Sequence, residues 1–303
     1  MTLKKPTRLR PGNRIAVVAP AGCVEPDALL KGVQVIRNRG FEVELSSRIF
    51  NSKGYLAGDE RNRADDLIDF FQRSDINAIF CARGGFGSAQ VLPYLLHADF
   101  CPGPKIFAGY SDITFLLNWL NSQFGLVTFH APMVAMELAH GLKGRTQEAF
   151  WGLLTGDKSE WQVELREVIR PGKTEGEMMG GCLSVVVTTL GTPYEIQTDG
   201  KLLFLEDVGE RPYRIERMLT HLKMAGKLDH LAGLVFGDFT NCEAEGPRSV
   251  PRIIAEMFAQ APYPVLTGMP AGHGSEHITL PFGVKMILDG NSRTLSLVES
   301  PVV

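Results

Sequence analysis

Short apolar runs alternate with amphipathic, helix-length stretches from Arg14 to Leu117, and this alternation restricts the fold more than any other feature. Arg14-Ile15-Ala16-Val17-Val18-Ala19-Pro20 reads as a buried first strand, with Ala21-Gly22 as its exit turn. Pro26 to Asn38 carries a helical apolar period through Leu29, Leu30, Val33 and Ile36 and stops at Gly40. Phe41 to Leu45 alternates as a second strand, and Asp59 to Arg73 is a charged amphipathic helix with Leu67, Ile68, Phe70 and Phe71 on its apolar face. Ala78 to Ala82 forms a third strand running into Arg83-Gly84-Gly85-Phe86-Gly87, and a helix from Ser88 to His97 leads on to a strand ending at Gly109. Such alternation implies βαβ units and an α/β fold with a mostly parallel sheet flanked by helices. Functional groups in these sheets gather beyond the carboxyl ends of the strands. The Arg83–Gly87 loop and a corner at Ser111 both fall there.

The corner lies in Gly109-Tyr110-Ser111-Asp112-Ile113-Thr114, between the apolar run from Ile106 and a helix-like pattern. A serine on a strand-to-helix corner projects its hydroxyl where a base and a substrate can both reach it. The second glycine of the usual G-x-S-x-G elbow is replaced by Ile113. Serine followed by aspartate ahead of an apolar helix also reads as an N-cap. The elbow reading therefore needs a base, an orienting carboxylate and an oxyanion hole elsewhere.

Candidates for all three exist. The Arg83–Gly87 loop can aim backbone N–H groups at a phosphate or a developing oxyanion, or it can simply be a tight turn. It matches neither nucleotide-binding glycine pattern. Lys201 to Glu210 is an apolar strand ending in acids, of which Glu206 can orient a histidine; any of these acids can instead cap the helix of Pro212 to Ala225. Ala271-Gly272-His273-Gly274 holds a histidine between glycines, suited to an exposed, fixed imidazole or to a solvated one. Gly180-Gly181-Cys182 is a further glycine turn, with Cys182 either a nucleophile or a small buried hydrophobe. Ser111, Glu206 and His273 together supply nucleophile, orienting carboxylate and base. The N–H of Asp112 and one from Gly84 or Gly85 are the natural oxyanion donors.

The pattern changes after Trp151: Glu160 to Ile169 alternates as an exposed strand, and Arg170-Pro171-Gly172-Lys173 reads as a linker or turn. The boundaries are drawn as a nucleophile-bearing α/β domain at 1–155, a linker at 156–175, and a smaller β-rich C-terminal domain at 176–303 with one clear helix. The net charge of −3 and the lack of a long basic run argue against nucleic acid or a membrane surface as partner. The five cysteines are scattered, with no C-x-x-C spacing, which fits a reducing compartment. No apolar h-region follows the basic N-terminus and no apolar run reaches membrane-spanning length, so a cytoplasmic location is expected.

Several motifs occur in one order: Ala-Arg-Gly-Gly-Phe-Gly at 82–87, Gly-Tyr-Ser-Asp-Ile-Thr at 109–114, Leu-Phe-Leu-Glu-Asp-Val-Gly-Glu at 203–210, Pro212 to Leu219, and Gly272-His273 followed by Leu280-Pro281-Phe282-Gly283. In these the chain resembles the LD-carboxypeptidases, serine peptidases typified by muramoyltetrapeptide carboxypeptidase. The resemblance implies a Ser-Glu-His triad at Ser111, Glu206 and His273, oxyanion donors at Gly85 and Asp112, no metal and no cofactor. It implies cytoplasmic hydrolysis of the amide between the L-centre of meso-diaminopimelate and terminal D-alanine of a murein tetrapeptide during peptidoglycan recycling, by a homodimer. Arg83, Gly84, Glu210 and Arg214 are candidates for the substrate contacts, and a bidentate arginine suits the terminal carboxylate. Cys182 stands where the family often has asparagine, and Phe86 where tyrosine is usual. The related microcin C immunity peptidases imply an alternative substrate, an aminoacyl-nucleotide amide. A non-catalytic peptide-binding module is the rival of another class. An α/β-hydrolase esterase is disfavoured by the missing elbow glycine and by a glutamate placed in a different domain.

Overall fold

The computed structural model describes all residues except 1, 98–99, 158–160 and 244–245. The chain divides into two units: Met1–Lys158 with Thr279–Pro281 and Pro301–Val303, and Ser159–Ile278 with Phe282–Ser300. In the first unit β1 (Arg14–Val18), β2 (Glu42–Leu45), β3 (Ala78–Cys81), β4 (Ile106–Gly109) and β5 (Thr128–His130) pair in parallel in the order β2-β1-β3-β4-β5. The late segment Leu280–Phe282 adds a strand beside β5. Helices α1 (Pro26–Arg37), α2 (Glu60–Gln72), α3 (Ser88–His97), α4 (Thr114–Phe124) and α5 (Gly144–Thr155) make up the helical layers.

The central strands are buried along their whole length, which is why β3 and β4 read as unbroken apolar runs rather than alternating ones. Each fully buried Ile or Phe there contributes about 1.5–3 kcal/mol. Strand order reverses between β1 and β3, because α1 carries the chain to one side of β1 and α2 returns it to the other. The carboxyl ends of β1 and β3 thus flank a topological switch point, the place where open sheets of this kind hold ligands. The N–H of Gly22, past β1, donates to the Gly84 carbonyl at 3.0 Å and ties the two exits together.

The second unit is built on an eight-stranded sheet of β6 (Gln162–Glu164), β7 (Glu167–Arg170), β8 (Lys173–Cys182), β9 (Leu202–Val208), β10 (Gly233–Thr240), β11 (Val265–Thr267), β13 (Lys285–Asp289) and β14 (Thr294–Leu297), with Leu280–Phe282 counted as β12. Its order is β6-β14-β13-β8-β9-β10-β11-β7; the centre from β8 to β11 is parallel and the flanks are antiparallel. Helices α6 (Leu183–Thr188), α7 (Pro212–Met224) and α8 (Val250–Phe258) pack their apolar faces on it, with Leu203, Leu205, Leu219, Phe236 and Ile254 in one buried cluster.

Several expectations change here. The region expected as a linker at 156–175 contains β6, β7 and the start of β8, so strands of the second sheet begin well before 176. The alternating stretch expected as one strand at 160–169 is two short strands at the sheet's two edges, with residue 160 outside the described residues. Gly180-Gly181-Cys182, expected as a turn entering a helix, is the end of strand β8 and leads into α6, while the one clear helix expected past Gly176 is joined by α8, which starts at a Val-Pro step.

Candidate active site

Ser111 stands at the exit of β4 with φ +61°, one of the few non-glycine residues in the left-handed region. That conformation costs an ordinary side chain roughly 1–2 kcal/mol, and the surrounding packing must hold it. A short 3-10 turn, Ser111–Ile113, precedes α4. The N-cap of α4 falls on Ile113 and makes no side-chain capping bond, so the capping reading of Ser111 does not describe this corner. Gly109 has no room for a side chain, since a Cβ there would lie 3.0 Å from Cys81 Cβ and 3.1 Å from Ile113 Cγ2. The isoleucine in place of the second elbow glycine therefore packs inward, under the turn.

The glycine loop comes against this corner. A Cβ on Gly84 would lie 2.9 Å from Ser111 Cβ, 3.0 Å from Ser111 Oγ and 3.3 Å from the Asp112 nitrogen. Only glycine permits that approach, and it brings loop backbone beside both the hydroxyl and one candidate oxyanion donor. Gly85 has φ +106° and Gly87 φ +123°, conformations in which side chains are strained. Asp112 turns its carboxylate away from solvent to accept the Ser88 N–H at 2.8 Å, while Ser88 Oγ donates to the Asp112 carbonyl at 2.5 Å. Burial, only partly offset by these bonds, pushes the Asp112 carboxyl above the ordinary aspartate value. Corner and loop are thus joined as one piece.

Glu206 and His273 lie within the second unit. Glu206 lies near the end of β9 with its side chain fully buried, and its Oε2 is 2.7 Å from His273 Nδ1. A carboxylate only accepts, so Nδ1 carries the proton and Nε2 is left as the basic nitrogen. The glycine beside the histidine is required: Gly272 has φ +114°, and a Cβ on it would run into the Glu206 carboxyl group. On the other side a Cβ on Gly274 would collide with Asp238, a half-buried acid at the end of β10 whose carboxyl is raised by burial. Asp238 was not visible as a neighbour of the histidine in the sequence; the only hint is its position at the end of an apolar run.

Successive residues on a strand face opposite ways, and Glu206 and Asp207 divide their work accordingly. Asp207 accepts the N–H of Ser184 in the first turn of α6 at 2.8 Å, and that of Val208 at 2.8 Å. Neither of the two acids caps α7, whose N-cap is Arg211 without a side-chain bond. Cys182, the last residue of β8, is buried beside Asp207, and burial, reinforced by Glu206 and Asp207, raises its thiol well above the usual range. A thiol so held is a poor nucleophile. Arg83 donates from Nη1 to the Cys23 carbonyl at 3.1 Å, while its Nε is buried without a hydrogen-bond partner. Glu210 and Arg214 form an i,i+4 ion pair at 3.5 Å at the start of α7, in the second unit. The loop residues Arg83, Gly84 and Gly85 lie with Ser111 and Asp112 in the first unit; Glu206, Glu210, Arg214 and His273 belong to the second.

Two family models match the chain. The family model for the LD-carboxypeptidase N-terminal domain matches residues 15–131, and that for the C-terminal domain matches 175–288. The chain belongs to the LD-carboxypeptidase family. It is 38% identical over 305 residues to the Bacillus subtilis "Probable murein peptide carboxypeptidase", covering 98% of this chain and 95% of that protein. The crystal structure of muramoyltetrapeptide carboxypeptidase from Oxalobacter formigenes is 28% identical with a TM-score of 0.85, covering 94% of this chain and 98% of that one. The structure of MccF in complex with glutamyl sulfamoyl guanosine shares the fold at a TM-score of 0.90 and 22% identity, over 99% of both chains.

As an LD-carboxypeptidase the protein is a serine peptidase. The first unit presents the Ser111 hydroxyl beside the glycine loop, and the second presents the His273 imidazole bonded to the buried Glu206 carboxylate. These are the parts that acyl transfer from an amide requires. No helix among the described residues is long and apolar enough to cross a membrane.

Proposed function

We propose that this LD-carboxypeptidase hydrolyses the amide between the L-centre of meso-diaminopimelate and the terminal D-alanine of a murein tetrapeptide. Ser111 Oγ attacks the amide carbonyl carbon while His273 Nε2 takes its proton. Glu206, accepting from Nδ1–H, fixes the tautomer and stabilises the imidazolium. The oxygen of the tetrahedral intermediate is held by the N–H groups of Gly85 and Asp112. The C–N bond then breaks, His273 protonates the departing D-alanine amine, and water releases the acyl group by the reverse proton path. Arg83 and Arg214 are the cations for the terminal carboxylate, with Gly84 and Glu210 as further substrate contacts. The reading includes a homodimer working in the cytoplasm on peptides released during peptidoglycan recycling.

The observation that carries the proposal is the left-handed backbone of Ser111 with Gly84 packed against its hydroxyl. A capping serine needs neither the strain nor the glycine. Substrate choice is tested by offering three compounds to the purified protein: L-Ala-γ-D-Glu-meso-diaminopimelyl-D-Ala, the same peptide ending in L-alanine, and glutamyl sulfamoyl adenosine. Release of D-alanine from the first alone is the expected result. Cleavage of the sulfamoyl compound in preference to the peptide would transfer the assignment to aminoacyl-nucleotide amides.

A further inference from the structure

Helix α2 begins Glu60-Arg61-Asn62-Arg63-Ala64-Asp65-Asp66, a run that reads as a solvated face, yet Arg63 is only 2% exposed. Arginine on a helix ordinarily buries its stem and leaves the guanidinium in water. Here the guanidinium is turned inward, onto backbone. Nη1 donates to the Pro20 carbonyl at 2.7 Å and to the Gly87 carbonyl at 2.7 Å, and Nη2 donates to Gln90 Oε1 at 2.7 Å. Burial lowers its pKa, with Glu60, Asp112 and Asp59 as the acids whose charges work against that shift. Sinking a cation this far costs several kcal/mol before its bonds are counted, and an apolar side chain would fill the space more cheaply. What the guanidinium adds is geometry.

Its bonds span the switch point. Pro20 lies just past β1, Gly87 closes the glycine loop after β3, and Gln90 lies in the first turns of α3. Gly87 leaves room for the group: a Cβ there would fall 2.6 Å from Arg63 Nη1. The next residue, Ser88, holds both the carboxylate and the carbonyl of Asp112, and at the other end of the loop Gly84 lies against Ser111. One rigid, planar fork therefore sets where the loop leaves the sheet and where it meets the nucleophile corner. A lysine, with donors on a single rotating nitrogen, cannot hold three acceptors in that plane.

Resting on the proposed serine mechanism, we propose that Arg63 is a positioning residue that fixes the separation of the two oxyanion donors, the N–H groups of Gly85 and Asp112. It touches neither substrate nor the reacting atoms. Its effect falls on the transition state, whose oxygen needs both donors at hydrogen-bond distance, and hardly on ground-state binding.

The test uses Arg63→Met, which keeps the stem and removes the donors, and Arg63→Lys, which keeps the charge. Active sites are titrated with a serine-directed fluorophosphonate, thermal stability is recorded, and kcat and KM for D-alanine release are expressed per titrated site. The second readout is the rate constant for phosphonylation of Ser111, which also builds negative charge on an oxygen in the donor pair and needs no peptide. The expected result is a fall of about 10²-fold in kcat and in the phosphonylation rate for Arg63→Met, with KM within about 3-fold, and a smaller fall for Arg63→Lys. Wild-type kcat per titrated site in either folded variant, with only the melting temperature or the titratable fraction reduced, overturns the proposal. So does a rise in KM at constant kcat. If Arg63→Met does not fold, the Arg63→Lys kcat-against-KM split decides alone. A wild type that fluorophosphonate does not label at Ser111 defeats the serine mechanism itself, an outcome distinct from a labelled wild type whose Arg63 variants react equally fast.

Discussion

The residues proposed for the chemistry are held within the two units by different physical means. In the first unit the features are those of backbone: a left-handed φ at Ser111, glycines with left-handed φ in the loop, and two strand exits tied by the Gly22 N–H donating to the Gly84 carbonyl. In the second unit they are side chains: a fully buried glutamate bonded to a histidine, with glycine on both sides of the imidazole so that the acids behind it fit. Backbone construction suits an anion cradle, because N–H donors must be fixed before charge develops. Side-chain construction suits a base, because the imidazole needs a partner that favours its protonated form. The two halves should therefore respond differently to mutation, the first to added volume and the second to lost charge.

The largest effect expected from this contrast is at Glu206. Glu206→Gln keeps the shape of the buried side chain but presents a neutral amide to His273 Nδ1, so the wrong tautomer is favoured. We expect kcat for D-alanine release to fall by about 10³- to 10⁴-fold, with the melting temperature little changed. A loss below about tenfold would show that the carboxylate is only a structural partner. Next comes volume without charge. Gly84→Ala places a methyl group against Ser111 Oγ and is expected to lower kcat by about 10²-fold, with far-UV circular dichroism unaltered. Equal activity would mean that the loop can withdraw from the corner and that the close contact has no catalytic role. The smallest effect is on stability: Ser111→Gly removes the left-handed penalty and is expected to raise the unfolding free energy by about 1 kcal/mol in denaturant titrations, while activity disappears. A destabilised Ser111→Gly would contradict the claim that the corner is held under strain.

The strand–helix alternation up to Leu117 was legible because buried parallel strands are unbroken apolar runs and their helices keep a clear period. Ser111 and Glu206 stood out for a related reason, since each follows or ends such a run, whereas His273 stood out for the glycine on either side of it. The edge strands β6 and β7 were legible only as one alternating stretch, Glu160 to Ile169, because nothing local marks the break between a three-residue and a four-residue strand. The return of Leu280–Phe282 to the first sheet was equally hidden, because pairing with β5 depends on a neighbour some 150 residues away in the chain and not on local pattern. Arg63 is the clearest case. Its neighbours in sequence are charged, and nothing local distinguishes a guanidinium facing water from one bonded to Pro20 and Gly87. Asp238 was hidden in the same way, since its place behind Gly274 comes from the packing of two remote segments.

The central claim is that a serine on a strained corner cleaves the peptide bond to a terminal D-amino acid, and it is tested most directly by one comparison. Wild type and Ser111→Ala are incubated with L-Ala-γ-D-Glu-meso-diaminopimelyl-D-Ala, and free D-alanine is measured over time. The account predicts steady release by the wild type and a fall of several orders of magnitude in the variant. Release that continues at the wild-type rate without the Ser111 hydroxyl would contradict it.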